Sequence, residues 1–261
     1  MNFKCKLSTK CRLKEFVEVF EEVFEKDSNG RAWFKESQFG HLLEVPKYLE
    51  INLTSMWMML CCEVQTKKNN EFWFVVNGTP IRFSLMEYAL ISGLRCSPYP
   101  EGWKTLGGNS FRERHFKDMK KVSIKDIKDK LLKMQDPPEE RQNTKKRQNV
   151  DERERANLMR LDKLKMTVLF FISSVLMHPD KDKGHIGDKL LSIVDDLDAC
   201  CDFPWGRSSY VYLMRHLERI DIRSKSSIVY DNNAEHATLT FPGFIIPLTV
   251  SKIIFNIVLH L

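Results

Sequence analysis

The feature that most restricts the fold of this chain is an Asn77-Gly78 pair between two short β-prone runs. Residues 71–76 and 79–83 are bulky and rich in aromatic and β-branched side chains. An Asn-Gly pair between two such runs is typical of a tight antiparallel hairpin, because both residues tolerate the positive φ that the turn requires. Pro80 lacks a backbone N–H, so the second strand is predicted to be short or an edge strand.

A helix is predicted to follow the hairpin directly. Ser84 and Glu87 have the spacing of a capping box, in which each side chain accepts a hydrogen bond from the other residue's backbone N–H. This helix should stop at Gly93, since glycine adopts the left-handed conformation that commonly ends helices. Arg82 is expected to pair with Glu87 or a nearby aspartate as part of the architecture. Ser123 and Asp126 predict a second capped helix.

Apolar residues at helical spacing predict further helices on both sides of the hairpin. The predicted segments are Leu13–Phe24, Ser37–Glu44, Thr54–Gln65, a helix from Phe111, one from Ser123, one from Asp151 to Met177, Leu190–Asp198, and one opened by Pro204. The apolar run 166–177 is too short to cross a bilayer, which needs about 20 residues, so it is predicted to be a buried core helix. The predicted fold class is α+β, mainly helical, with one small β-hairpin packed among helices.

Three segments are predicted along the chain. Residues 1–29 hold an amphipathic helix, which the turn-forming residues 27–30 should end, and its phenylalanine stripe should face the core. Residues 30–222 form the main domain, with a mobile basic insertion near 135–150 that contains almost no apolar residues. Residues 223–261 end in an apolar tail. We expect a core helix there rather than a membrane anchor, because a central lysine opposes insertion; a truncated gene product is a further interpretation.

The positive charge of the chain is concentrated in one stretch. The 261 residues carry 41 Lys and Arg against 35 Asp and Glu, but residues 111–160 alone hold 16 basic and 10 acidic side chains, so the remainder is balanced. Such an excess indicates either a solvated surface or contacts with a nucleic-acid backbone. The candidate nucleic-acid contacts are Arg112, Arg114, Lys117, Lys120, Lys121, Lys145, Lys146 and Arg147. Phe111 and Phe116 are interleaved with the first five.

The cysteines favour a reducing compartment and do not predict an active site. There are seven of them, an odd number, and the basic N-terminus has no apolar signal-peptide region, so a nuclear or cytoplasmic location is expected. A cysteine protease needs Cys, His and Asp or Asn together in space. Cys96 with His115 or His178 downstream is the nearest approach, but the surrounding sequence lacks the expected context. No catalytic residue is therefore predicted.

Metal and cofactor sites are likewise not predicted. No Cys-x-x-Cys pair is present, and the loop 178–187 lacks the closing glutamate of a calcium site. Asp195, Asp196 and Asp198 are interpreted as the solvent side of a helix. The glycines at 102, 107 and 108 form neither a phosphate-binding loop nor a dinucleotide fingerprint. In the run Trp205-Gly206-Arg207, the tryptophan is expected in the core and the arginine in a structural salt bridge.

Three stretches together resemble a known family. They are residues 39–44 (FGHLLE), residues 71–96 (EFWFVVNGTPIRFSLMEYALISGLRC), and residues 193–198 with 203–207 (IVDDLD and FPWGR). In this order they resemble a plant domain of unknown function, DUF1985, over about residues 30–222. The Gly-Leu-Arg-Cys and Pro-Trp-Gly-Arg pieces are also similar to the plant mobile domain.

The resemblance implies a cellular context more than a chemistry. Such domains typically precede a SUMO-type cysteine protease domain in proteins derived from Mutator-like transposable elements, and no catalytic residue is established for them. Nothing after residue 222 looks like that protease. The expected function is therefore a non-catalytic, intracellular protein-interaction module, nuclear or cytoplasmic, with an unknown protein partner. The alternatives are a nucleic-acid-binding module and an accessory domain that acts with a separate SUMO-type protease; a membrane is not expected as a partner.

Overall fold

The hairpin and the helix behind it form as predicted. The structure is a computed structural model and describes residues 6–25, 27–46, 53–64, 66, 70–76, 78–136, 150–178, 185–219, 238–241 and 243–250. Strands β3 (Phe72–Val76) and β4 (Thr79–Phe83) pair antiparallel, with Trp73 opposite Arg82. Both halves of the capping box are present at Ser84, and Gly93, with φ of 66°, ends the helix.

Helices make up most of the described chain, which confirms the mainly helical α+β class. They are α1 (Leu13–Val23), α2 (Ser28–Glu36), α3 (Leu53–Cys61), α4 (Leu85–Ser92), α5 (Ser110–Phe116), α6 (Ile124–Lys133), α7 (Val150–Phe171), α8 (Asp188–Asp195), α9 (Leu197–Asp202) and α10 (Trp205–Arg219). Short 3₁₀ turns span Gly40–Glu44 and Trp103–Thr105. A third strand, β2 (Glu63–Val64), extends the hairpin on the β3 side.

The C-terminal half of α7 lies in the centre of the core. Its Phe170 and Phe171 contact Phe16 of α1, with ring centroids 5.9 and 4.9 Å apart. Phe34 of α2 packs on Phe16 and Phe171. The phenylalanine stripe of α1 is thus a core face, as predicted, and so is the apolar run that ends α7.

A π-helical turn, Ile172–Leu176, follows α7 within the core. Such a turn leaves carbonyl groups without their usual helical partners. Here the Ser174 carbonyl accepts from the backbone N–H of Arg12, and the Leu176 carbonyl accepts from Ser209 Oγ of α10. The widened turn therefore joins α7 to the N-terminal segment and to α10.

The structure corrects two predictions near the N-terminus. Residues 28–36 form α2, and the helix predicted over Ser37–Glu44 is reduced to a 3₁₀ turn. The reason is that Asp27 does not only end α1: its carboxylate accepts from the backbone N–H of Gly30 and starts a new helix. Strand β1 (Lys6–Thr9) was also not predicted. It pairs in parallel with β5 (Thr238–Phe241).

The described part of the C-terminal tail belongs to the core. Phe241, Phe244, Ile245 and Leu248 are buried, and residues 246–250 are helical. These residues confirm the expectation of a core element there. Residues 251–261 lie outside the described part, as do residues 137–149 of the predicted basic insertion.

Candidate functional site

Four of the described cysteines, Cys11, Cys96, Cys200 and Cys201, have a raised pKa, which favours the thiol over the thiolate. Burial raises the pKa of Cys96 to about 11, and the nearby charge of Arg207 lowers it by less. Burial also raises the pKa of Cys11 to about 12. A cysteine nucleophile needs the opposite shift. His115, one of the two downstream histidines, bonds through Nε2 to Asp162 at 2.8 Å.

Thiol labelling of the native protein can check these environments. We expect iodoacetamide at neutral pH to modify the exposed Cys61 and Cys62 quickly. Cys11 and Cys200 should react only after unfolding, since burial raises the pKa of both. Peptide mass spectrometry after timed quenching measures the rates. Fast modification of Cys96 in the folded protein would show an activated thiol and would contradict this assignment.

Three charged side chains of α7, Asp162, Lys163 and Lys165, each form ion pairs with residues outside this helix, and we call these three the charged belt. Asp162 accepts from Arg114 Nε and Nη2 at 2.8 and 2.6 Å, and from His115. Lys163, almost fully buried, pairs with Asp136, and its Nζ lies 5.0 Å from the Phe24 ring centroid. Asp162 and Lys163 both lie on α7. The belt joins α7 to α5 and to the segment after α6.

The third member of the belt is Lys165, which bonds to Asp195 at 2.8 Å. Asp195 is only 7% exposed, so it is not on the solvent side of α8 as predicted. Burial would raise the pKa of Asp195, but bonds from Lys165 and from the backbone of Phe111 and Ser110 outweigh it and lower the pKa. Among the residues that the structure describes, no three His, Cys, Asp or Glu side chains are grouped to hold a metal ion.

The candidate nucleic-acid contacts divide into two groups in the structure. The guanidinium group of Arg114 is paired with the carboxylate of Asp162. Arg112 Nη2 lies 3.2 Å from Asp188 Oδ1. Lys117, Lys120 and Lys121 are exposed and make no ion pair with any described residue. Lys145, Lys146 and Arg147 lie outside the described residues.

The aromatic residues that are interleaved with these cations in the sequence do not lie beside them on the surface. Phe111 and Phe116 are 0% and 1% exposed, so neither ring can stack on a base. Their spacing gives no signal of this, because residues five apart do not lie on one face of an α-helix.

Among the described residues, the outer face of the three-stranded sheet is apolar apart from Arg82, which lies opposite Trp73, and sequence reasoning missed this face. Phe72, Phe74 and Ile81 point into the core, whereas Val64 and Val75 are 44% and 42% exposed on the other face. The register places Val64 beside Trp73 and Val75 beside the exposed Pro80. We call Val64, Trp73, Val75 and Pro80 the outer sheet face.

Helix α4 adds exposed apolar residues next to this sheet. Met86 and Leu90, one helical turn apart, are 55% and 78% exposed, while Tyr88 is buried. Arg82 of β4 donates to Glu87 of α4 through Nε and Nη2 at 3.2 and 2.8 Å. This confirms the architectural role predicted for Arg82. It also fixes α4 relative to the outer sheet face.

The two short motifs at residues 93–96 and 204–207 contact each other. The backbone N–H of Gly206 donates to the Arg95 carbonyl at 2.9 Å, and Gln38 donates to the Cys201 and Phe203 carbonyls. Trp205 is buried, as predicted. Arg207 does not form the predicted salt bridge within the described part of the chain; its Nε donates to the Ser97 carbonyl at 2.6 Å instead.

Comparison with known proteins agrees with the position of these motifs. A family profile described as Domain of unknown function (DUF1985) matches residues 60–216, which include the sheet, α4, the charged belt and α10. Neither the curated proteins nor the solved structures contain a match. Within the described residues, no helix combines the length and apolar character needed to cross a bilayer.

Proposed function

The chain belongs to the DUF1985 family, and on that premise we propose that it is a non-catalytic protein-interaction module. The family resemblance supports a plant protein of transposon origin, and the odd number of cysteines without a signal-peptide region supports a nuclear or cytoplasmic location. The resemblance also makes a separate SUMO-type cysteine protease one candidate partner, for which this chain would be an accessory domain. The residues of this chain supply the argument for a binding role.

The composition of β3 carries the proposal. Its sequence, FWFVV, is a continuous apolar run, which is typical of strands that are covered on both faces. An antiparallel strand with one wet face normally alternates apolar and polar residues. Within the described part of the chain, one face of β3 is buried through Phe72 and Phe74, whereas Val75 on the other face is exposed. A partner that covers the outer sheet face accounts for the pattern.

The surroundings of this face fit a protein interface. Protein interfaces have an apolar centre and a polar rim. Here Arg82 lies on the same side of the sheet, on the end strand β4, and the Arg82–Glu87 pair, with side chains 34% and 23% exposed, can still offer hydrogen bonds. Met86 and Leu90 extend the apolar surface beyond that pair.

Site-specific photo-cross-linking tests the proposal. A benzophenone amino acid at Val75 is expected to cross-link a protein partner in extract of the source cells. The same group at Leu132 of α6, which is 41% exposed against 42% for Val75, is a matched control and should give no product. Nuclease treatment should leave the Val75 product intact. Equal products from both positions, or no product from either one, would count against an interface here.

A pair of surface substitutions gives a second readout. In this experiment the benzophenone is placed at Leu90, and the cross-linked product is compared with and without the double substitution Val64→Lys and Val75→Lys. The double substitution should abolish the cross-linked product. The free energy of unfolding should change by about 0.5 kcal/mol or less per site, because both side chains are substantially exposed. A large fall in stability would show that the outer sheet face is needed for the fold itself.

Nucleic-acid binding is the second candidate function. The observation that favours it is the set of exposed lysines after α5, which lack acidic partners among the described residues. An unneutralised cluster of this kind attracts polyanions at low salt. If no nucleic acid is retained at low salt, this candidate fails while the protein-interaction proposal stands.

A further inference from the structure

The turn between α5 and α6 concentrates positive charge. Lys117, Lys120, Lys121 and Lys125 are all exposed, and Asp118 is the one acidic residue in the run 117–125. His185 is exposed and bridges to Ser123 in the same turn. We call the four lysines the lysine surface. Its net charge makes it the natural place for a polyanion to dock.

Arg112 and Arg114, on α5 before the lysine surface, are both paired with carboxylates. Arginine recognises guanine through its planar fork, but the fork of Arg114 is closed by Asp162. A lysine ammonium is instead a flexible point charge that suits phosphate. The lysine surface therefore offers contacts that do not depend on sequence.

The backbone N–H groups at the start of α6 are also engaged, through the capping box of Ser123 and Asp126. A helix N-terminus often binds phosphate through its free backbone N–H groups. At α6 the Ser123 side chain accepts from the Asp126 N–H, and the Asp126 carboxylate accepts from the Ser123 N–H at 2.9 Å. The negative carboxylate opposes an anion at that point. Phosphate contacts are thus left to the lysine side chains.

Single-stranded nucleic acids are usually held by aromatic stacking as well as by charge. Phe111 and Phe116 are buried, so the rings nearest to these lysines in the sequence provide no stacking platform. A duplex presents a denser line of charge than a single strand and needs no stacking. We infer that the lysine surface binds the phosphate backbone of double-stranded nucleic acid without reading its bases. This inference rests on the second candidate function.

Salt-dependent fluorescence anisotropy with the full chain tests it. The probes are a labelled DNA duplex, an RNA duplex of the same length, a single-stranded DNA and anionic lipid vesicles. Four phosphate contacts predict a slope of about −3.6 in log K against log salt for the DNA duplex. Replacing Lys117, Lys120 and Lys121 by Gln should reduce the slope by nearly three and weaken binding at least about tenfold at low salt. Lys14, Lys35 and Lys104, also exposed, are replaced by Gln as a control of equal charge.

Each outcome has a distinct meaning. Tight duplex binding that is lost in the first variant and kept in the control supports the inference, with the two duplexes showing whether DNA or RNA is preferred. Equal or tighter binding of single strands overturns the duplex assignment but leaves a nucleic-acid function. Equal losses in both variants overturn the lysine surface as the site. Binding to vesicles alone, or to no probe, overturns both the inference and the nucleic-acid candidate.

Discussion

Replacing Gly206 with alanine is expected to destabilise the protein by about 3 kcal/mol or to prevent its soluble expression. A Cβ at this position would lie 2.6 Å from Cys96 Sγ, 2.8 Å from the Arg95 carbonyl oxygen and 2.9 Å from Leu94 Cβ. One of these atoms belongs to the backbone, so a side-chain movement cannot relieve the contact. The substitution should also weaken the hydrogen bond from the Gly206 N–H to Arg95. Chemical denaturation followed by circular dichroism measures the effect.

Gly187→Ala is the matched control for this prediction. Gly187 precedes α8 with a φ of −66°, and a Cβ there would meet nothing within 4 Å. Its free energy of unfolding should change by about 0.5 kcal/mol or less. Cys96→Ala should recover part of the loss in Gly206→Ala, because it removes the closest contact while the carbonyl remains. Similar stabilities of the two glycine variants would contradict the close packing of the motifs.

The elements that depend on adjacent residues were predictable from the sequence. The hairpin follows from residues 71–83, and the two capped helix starts follow from serine and acid residues three positions apart. The buried end of α7 was predictable because the run 166–177 has nine apolar residues among twelve, which favours burial away from water. Each of these signals lies within a short stretch of sequence, where the propensities and the spacing of neighbouring residues are enough to determine the local structure.

The elements that depend on distant partners were not predictable. Strand β1 pairs with β5, which lies about 230 residues later, as the bond between Ser8 and Thr240 shows. No local pattern contains that partner. Strand β2 has two residues and exists because β3 offers it an edge. Helix α2 was missed for a local reason, since the cap at Asp27 also resembles a turn.

The candidate surfaces show the same division. That Lys117, Lys120 and Lys121 are exposed follows from their charge. The commitment of Arg114 to an aspartate 48 residues away could not be read from its own neighbourhood. The outer sheet face had a visible signal in the apolar run of β3, but the run does not reveal which element or partner covers the second face.

Asp162→Asn is expected to destabilise the protein by about 2–4 kcal/mol at pH 7. The carboxylate of Asp162 is 6% exposed and receives three hydrogen bonds, from Arg114 and His115. An asparagine cannot neutralise the partly buried guanidinium, and its amide group would face the donors of both partners. Asp129→Asn, at an exposed position on α6, is the control and should change stability by about 0.5 kcal/mol or less.

The effect of Asp162→Asn should depend on pH in one direction. Burial would raise the pKa of Asp162, but the bonds from His115 and Arg114 outweigh it and lower the pKa from 3.8 to about 2. A carboxyl whose folded pKa is lowered contributes stability above its unfolded pKa, and that stability is lost as the pH falls through the folded value. This shift corresponds to about 2 kcal/mol. The free energy of unfolding of the unsubstituted protein and of Asp162→Asn is measured between pH 7 and pH 2. The difference between the two free energies should narrow below about pH 4, whereas a constant difference would assign the loss to packing alone.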